Sequence, residues 1–137
     1  MKKDLRCPIC EEGNLSEKVS KERVDYKGRT AELDLHFSVC GSCGSEQADA
    51  EQVRMNKRNM VRFKKLVDGL LTGSEVKSIR EKLALTQSSA SRILGGGPVA
   101  FSKYEADDVA QSKAMDKLLR VIAEVPEAFD YLAKSPH

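Results

Sequence analysis

The 137-residue sequence lacks the side chains from which most enzyme active sites are assembled. It contains only two histidines, His36 and His137, and no H-E-x-x-H or comparable cluster. No convergent set of acid, base and nucleophile can be identified along the chain. We therefore expect a protein that is not an enzyme.

Long apolar runs are also missing. No run approaches the length that would span a membrane. The lysine-rich start is too short for a secretion signal, and it lacks the apolar core that such a signal needs. The sequence therefore predicts a soluble, cytoplasmic protein with no membrane partner.

A strong excess of charge of one sign is absent, because the formal net charge is only +2. Overall charge thus does not indicate a nucleic-acid binder, but the charges are unevenly distributed along the chain. A basic middle and an acidic tail are compatible with one surface that faces DNA and one that faces away, although ordinary solvated helices would give the same pattern. The basic residues are Arg54, Lys57, Arg58, Arg62, Lys64 and Lys65, then Lys77, Arg80, Lys82, Arg92 and Lys103, and the acidic ones are Asp107, Asp108, Asp116, Glu124, Glu127 and Asp130.

Cysteine is scarce, but its four copies form two C-x-x-C pairs, Cys7 with Cys10 and Cys40 with Cys43. This spacing is typical of a closed, tetrahedral structural zinc site with one ion per chain. The first half of the chain has little apolar material, so metal binding would supply its folding free energy. Two disulfides, a redox pair at the second C-x-x-C, and iron in a rubredoxin-like site are the alternatives.

The segment between the cysteine pairs predicts a β-hairpin. Apolar and polar residues alternate over 33–39, which is the period of a half-buried strand, and a less regular strand is predicted over 17–24. Gly28 would allow the turn between them. His36 is not needed as a metal ligand, because four cysteines complete a tetrahedral site, and we expect it to be exposed to solvent.

Helical periodicity replaces this alternation in the second half of the chain. A connecting helix is predicted over 48–71, with a flexible hinge at Gly69 and Gly73. The fold class is therefore α+β: a small, zinc-ribbon-like N-terminal domain with a β-hairpin and a helix, followed by an all-α helix-turn-helix domain. We predict residues 1–70 for the first domain and 71–137 for the second.

Cap residues divide the second half into short helices. Thr72 and Thr86 predict two helix starts, the second of them opening a helix over 87–94. Pro98 follows three glycines and is predicted as the first residue of a third helix, which ends near Glu105. Two further helices are predicted around residues 115–122 and 127–133.

Short helices joined by a glycine-containing turn are typical of a helix-turn-helix, although a small bundle that merely packs would show the same periodicity. In this interpretation the third helix enters the major groove, and the start of the preceding helix lies near phosphate. A two-fold dimer would double the contact with DNA. The predicted DNA-binding residues are Thr86, Gln87, Pro98, Val99, Ala100, Ser102 and Lys103.

The ordered motifs resemble a known family over nearly the whole chain. They are C-P-x-C, a Y-K-G-R turn, C-x-x-C, R-E-K-L-A-L-T-Q, G-G-G, A-F-S-K-Y-E, and L-L-R-V-I with a following Pro-Glu. This order resembles the MqsA-type antitoxins, also called YgiT-type zinc-finger proteins. The stretch from Thr86 to Glu105 by itself also resembles the XRE class of helix-turn-helix domains, which includes the Cro and lambda repressors.

The resemblance implies an N-terminal zinc domain that binds a cognate toxin, commonly an mRNA-cleaving ribonuclease. It also implies a C-terminal domain that dimerises and binds palindromic operator DNA. Two base-contacting positions of the family, typically an Asn and an Arg, correspond to Val99 and Lys103. Val99 offers only an apolar contact, for example to a thymine methyl, and Lys103 replaces a bidentate fork by a point charge.

The sequence therefore predicts an antitoxin of a type II toxin-antitoxin system. Such a protein would neutralise its toxin by binding it and would repress its own operon as a dimer on operator DNA. The alternative is a stand-alone, zinc-containing helix-turn-helix transcription regulator without a dedicated protein partner.

Overall fold

The computed structural model describes residues 5–134, and it divides into two compact units, Met1–Met60 and Val61–His137. The division falls inside the connecting helix, whereas the sequence placed the domain boundary after residue 70. Within the described part of the chain, no helix is long and apolar enough to cross a membrane. The elements in chain order are β1 (Leu15–Tyr26), β2 (Arg29–Cys40), β3 (Glu46–Gln47), α1 (Ala50–Asp68), α2 (Gly73–Lys82), α3 (Gln87–Leu94), α4 (Ala100–Glu105), α5 (Lys113–Glu124) and α6 (Pro126–Lys134).

The first unit is built on a long β-hairpin. β1 and β2 pair antiparallel over their whole length, and the last pair, Tyr26 with Arg29, leaves a two-residue turn. Lys27 and Gly28 both have positive φ, 49° and 77°, which is the type I′ geometry that matches the twist of paired strands. The predicted hairpin is confirmed, and together with the six helices found among residues 5–134 it confirms the α+β class.

Helix α1 attaches to β2 through side-chain amides. The backbone N–H of His36 donates to Asn56 Oδ1 at 2.7 Å, and Asn56 Nδ2 donates to the His36 carbonyl at 3.0 Å. Asn59 Nδ2 donates to the Asp34 carbonyl in the same way at 3.2 Å. His36 itself is half-buried, so the expectation that it is solvent-exposed is wrong. The sheet order is β1-β2-β3, which leaves β1 as an edge strand.

Very little apolar side chain is buried in this unit. Within its described residues, the buried hydrophobic positions are Cys7, Val24 and Cys40, two of which are thiols. A unit with so small a core needs another source of stability, such as a metal site or cross-links. The cysteine cluster thus lies where the hydrophobic effect contributes least.

The second unit has a conventional helical core. The predicted caps are present: Thr72 forms a capping box with Glu75, and the Thr86 hydroxyl accepts the Ser89 N–H at 3.0 Å. At the start of α5, the Ser112 hydroxyl accepts a backbone N–H in the same manner. The buried core residues are Leu71, Val76, Ala90, Ala100, Phe101, Met115, Leu119 and Ile122.

The third of these short helices begins later than predicted. α4 starts at Ala100 rather than at Pro98, because the Ala100 N–H closes a turn onto the Gly97 carbonyl at 3.2 Å. Gly97 has a φ of 97°, which turns the chain sharply before the helix. Pro98 and Val99 therefore lie in the turn, and Val99 is the residue that precedes the helix.

The segment between α1 and α2 is not the hinge that its glycines suggested. Arg120 Nη2 donates to the Gly69 carbonyl at 2.9 Å, and the Gly73 N–H donates to Asp107 Oδ1 at the same distance. Gly73 is also packed so closely that a Cβ would lie 2.3 Å from the Glu105 carbonyl oxygen. Gly73 is therefore required for the close approach of its backbone to the Glu105 carbonyl, rather than for flexibility.

Candidate metal centre and nucleic-acid interface

The hairpin brings the two cysteine pairs together at its open end. The Sγ atoms of Cys7, Cys10, Cys40 and Cys43 all lie within 4.8 Å of one another, and the four thiols are free. Cys7 Sγ lies 3.8 Å from Cys43 Sγ, and Cys10 Sγ lies 3.6 Å from Cys40 Sγ. A tetrahedral ion with metal–sulfur bonds of about 2.3 Å holds its thiolates about 3.8 Å apart. The cluster could therefore hold one metal ion.

Backbone N–H groups donate hydrogen bonds to the sulfur atoms, as is typical of thiolates. The Gly13 N–H donates to Cys10 Sγ at 3.4 Å, and the Ser42 and Cys43 N–H groups donate to Cys40 Sγ at 3.3 and 3.4 Å. Gly13 is fitted to this site, because a Cβ there would lie 2.5 Å from Cys40 Sγ. These contacts favour ionised sulfur, which is the form that binds metal.

The same hydrogen bonds perturb the acidity of the thiols. The amide of Cys10 contributes most to lowering the pKa of Cys7, to about 5. The amide of Gly13 is the main cause of the lowered pKa of Cys10. For Cys40 the amide of Cys43 lowers the pKa, but burial and the neighbouring thiols outweigh it, so the pKa of Cys40 is raised. A bound cation would favour the ionised form of all four.

A second candidate site is a polar surface at the starts of α3 and α4. The side chains of Thr86 and Gln87, at the start of α3, are exposed, as are Pro98 and Val99 in the turn before α4. Ala100 does not belong to this surface: it is 7% exposed and packs in the core. It is thus removed from the predicted base contacts. The six exposed residues, which we call the α3–α4 surface, are Thr86, Gln87, Pro98, Val99, Ser102 and Lys103.

A largely buried ion pair lies next to the α3–α4 surface. Arg80 Nε and Nη2 donate to the two carboxylate oxygens of Glu105 at 2.7 and 2.9 Å, and Arg80 Nη1 donates to the Leu85 carbonyl at 2.8 Å. Gln87 Nε2 donates to Glu105 Oε1 at 3.2 Å. Glu105 is the last residue of α4, so this pair connects α2, the start of α3 and the end of α4. Such bidentate pairs fix geometry as well as adding energy.

Part of the predicted basic surface lies inside the protein. Lys65 is fully buried, and its Nζ donates to Asp107 Oδ1 and to the Tyr104 carbonyl, both at 3.0 Å. Arg62 Nε donates to the other oxygen of Asp107 at 3.1 Å. Lys65 therefore belongs neither to a DNA-facing surface nor to a solvated helix face, the two interpretations that the basic stretch allowed, and Asp107 is not part of a solvated acidic tail.

Sequence reasoning missed the buried carboxylates because nothing local distinguishes them. Glu105, Asp107 and Asp116 are of the same residue types as the exposed acids elsewhere in the chain, and most of their partners are distant along it. Asp116 accepts the Leu71 N–H at 2.7 Å and Arg120 Nε at 2.8 Å. The Arg120 contact, four residues further along α5, is the one that helix periodicity could have suggested.

The fold and the two sites define a class of protein: a small cysteine-rich unit whose four thiols could hold a metal ion, joined to a unit of short helices. The family of the antitoxin component of bacterial toxin-antitoxin systems, MqsA, matches residues 5–132. The chain is also 30% identical to the antitoxin MqsA of Escherichia coli (strain K12) over 125 residues, which cover 90% of this chain and 95% of that protein. The chain therefore belongs to the MqsA antitoxin family, which confirms the resemblance seen in the sequence. Its role is that of the antitoxin in a toxin-antitoxin system.

Proposed function

We propose that this antitoxin binds a cognate toxin through its first unit and represses its own operon by binding operator DNA as a dimer through its second. The single observation that carries the DNA-binding part is the α3–α4 surface. Six of the seven side chains predicted to meet DNA are exposed, while Phe101 and Ala100 beside them are buried and hold the short helix in place. We assign toxin binding to the first part of the chain and DNA binding and dimerisation to the second, as the sequence predicted for residues 1–70 and 71–137.

In this proposal α4 is the recognition helix and lies in the major groove. Val99, at its start, meets an apolar group such as a thymine methyl, and Lys103 meets a guanine edge or a phosphate. Thr86 and Gln87 lie at the start of α3 and contact the DNA backbone. One copy of so short a helix reads few bases, so a two-fold dimer formed by the second unit would double the contact.

The ion that we propose for the four cysteines is a single structural zinc per chain. Four thiolates at tetrahedral spacing, with no further ligand position needed, form a closed site of the kind that stabilises a fold. Zinc would supply the first unit with the stability that its small apolar core lacks. Iron is bound by the same donor set, and metal analysis of the purified protein distinguishes the two.

The first unit is our candidate for toxin binding, and a ribonuclease that cleaves mRNA is the toxin that we propose. The long hairpin offers β1 as an edge strand on which a partner strand could pair. The outer edge of β2 is less suitable, because β3 and the side chains of Asn56 and Asn59 bind it.

Lys103→Ala tests the DNA-binding part directly, with Lys117→Ala as the matched control. Both lysines are exposed, but Lys117 lies on α5, outside the α3–α4 surface. Lys103→Ala should weaken operator binding by about 1–3 kcal/mol if Lys103 contacts a base. If Lys103 contacts a phosphate instead, the substitution should reduce the slope of log K against log salt concentration by about one. Unchanged affinity and salt dependence for Lys103→Ala would remove this residue from the interface.

The alternative, a stand-alone zinc-containing regulator, predicts no dedicated protein partner. An affinity pull-down of the tagged protein from its native host, followed by mass spectrometry, separates the two. A stoichiometric small protein encoded beside this gene would support the antitoxin proposal and identify the toxin. Recovery of operator DNA without any protein partner would favour the alternative.

A further inference from the structure

Lys65 is among the largest fully buried side chains of the described residues, and full burial is unusual for a lysine. Its ammonium group lies between two acceptors of the second unit, the carboxylate of Asp107 and the carbonyl of Tyr104. A buried ammonium is tolerated only when such partners compensate the lost hydration. The position of Lys65 therefore depends on where these two acceptors lie.

Both acceptors belong to the end of α4. Tyr104 is in its last turn, and beyond the helix its carbonyl accepts both the Asp107 N–H at 3.2 Å and Lys65 Nζ at 3.0 Å. Asp107 follows two residues after the helix, with a φ of 59°. A cation at this end also interacts favourably with the helix dipole. Lys65 thus acts as a C-terminal cap that is supplied from α1.

Asp107 extends this contact to the start of α2. Its Oδ1 atom accepts Lys65 Nζ and also the Gly73 N–H at 2.9 Å. Gly73 in turn packs against the Glu105 carbonyl so closely that no Cβ fits. The last turns of α1, the first residue of α2 and the end of α4 therefore converge on one carboxylate and one ammonium.

We propose that Lys65 is a positioning residue for DNA binding: it holds the C-terminal end of the recognition helix α4 without touching DNA. This inference rests on the proposed function of the α3–α4 surface. Direct contact of Lys65 with phosphate is incompatible with a side chain of 0% exposure whose ammonium is already bound to two internal oxygens. The neighbouring Lys64, in contrast, is exposed.

The test compares Lys65→Met with Lys64→Met in the full-length, metal-loaded protein. Both substitutions keep an unbranched side chain and remove one positive charge, but only the first removes the internal cap. The DNA probe is a duplex selected from a randomised library by the wild-type protein, and affinity is measured over a series of salt concentrations. We expect Lys65→Met to raise the Kd at least about tenfold, with an unchanged dependence on salt. Lys64→Met should leave α4 and its binding mode intact.

Lys65→Met also leaves the Asp107 carboxylate buried beside fewer partners, so the variant loses stability as well. Lys65→Met combined with Asp107→Asn separates stability from positioning. The neutral amide oxygen can still accept the Gly73 N–H, although the amide nitrogen cannot accept from Arg62, so stability should recover in part. The Tyr104 carbonyl still lacks the Lys65 ammonium and keeps only the Asp107 N–H. We expect the weak DNA binding to persist in the double variant. Affinity that recovers in step with stability would overturn the proposal, as would a lower salt dependence or an unchanged Kd in Lys65→Met.

Hydrogen exchange without DNA provides a second readout. The N–H groups of Ala106, Asp107 and Asp108 donate to the carbonyls of Ser102, Tyr104 and Lys103, which closes the end of α4. These three amides should exchange faster in Lys65→Met than in Lys64→Met, while α5 amides change little. If no duplex can be selected, the proposed function fails, and this measurement still decides whether Lys65 holds the helix end. Equal exchange in both variants would overturn the positioning role.

Discussion

The ion pair between Arg80 and Glu105 should contribute strongly to the stability of the second unit. The two side chains are only 13% and 5% exposed, and two hydrogen bonds of 2.7 and 2.9 Å join them in a bidentate arrangement. Glu105 also holds Gln87 at the start of α3. Glu105→Gln keeps the size of the side chain but removes its charge and replaces one acceptor by a donor. Because a guanidinium cannot accept, one of the two hydrogen bonds is lost.

The expected loss of stability is about 3 kcal/mol. Breaking a buried ion pair by removing one partner costs about 3–5 kcal/mol, since the remaining charge stays buried without compensation. The amide oxygen still accepts one bond, and the Leu85 carbonyl still accepts from Arg80, so the lower end of this range applies. The raised pKa of Arg80 is due first to its hydrogen bonds with Glu105. The guanidinium also remains charged in the variant, because arginine does not lose its proton in proteins.

Urea unfolding of the metal-loaded protein, followed by far-ultraviolet circular dichroism, measures this loss. Glu81→Gln is the matched control: its partner Lys77 lies four residues away at 3.8 Å, and both side chains are more than half exposed. An exposed pair of this kind contributes about 0.5 kcal/mol or less. The reasoning is refuted if the two variants lose equal stability, or if Glu105→Gln loses less than about 1 kcal/mol.

Three further predictions follow from the same contacts. Removing the metal with a chelator should unfold the first unit and leave the helical core folded. Metal analysis should find about one zinc per chain. A first unit that stays folded without metal would contradict the structural role of the ion. Desolvation raises the pKa of Asp116, but hydrogen bonds from Leu71, Arg120 and Gln111 outweigh it, so the pKa is lowered. Its stabilising effect is therefore present above the unfolded pKa of about 3.9 and is lost as pH falls through the lower folded value. Asp116→Asn should weaken the dependence of the unfolding free energy on pH in that range, and an unaltered dependence would exclude the carboxylate as its source. Gly73→Ala should destabilise the second unit by about 1–3 kcal/mol, because its Cβ would clash with the Glu105 carbonyl. Ser74→Ala, at the next and exposed position, should change the unfolding free energy little. Similar effects in the two variants would show that the backbone relaxes freely.

Local patterns predicted most of the elements. The alternation over 33–39 and Gly28 indicated the hairpin, and Thr72 and Thr86 marked the starts of α2 and α3 as observed. These signals are reliable because a turn or a cap depends on residues a few positions apart. Pro98 was misleading for the same reason: the local preference for a helix start was overridden by the turn that Gly97 closes onto Ala100.

The amino-acid sequence by itself determined the chemistry of this protein: four thiols in two pairs, a hairpin to bring them together, and a set of capped short helices. It could not determine which of many similar charges are buried, since Lys65, Asp107 and Glu105 differ from their exposed neighbours only in their surroundings. Those surroundings are made by residues 25 to 42 positions away, as for Arg80 with Glu105 and Lys65 with Asp107. Only tertiary structure brings such partners together, and it shows that Lys65, one of a run of basic residues in the sequence, binds Asp107 and the Tyr104 carbonyl inside the protein.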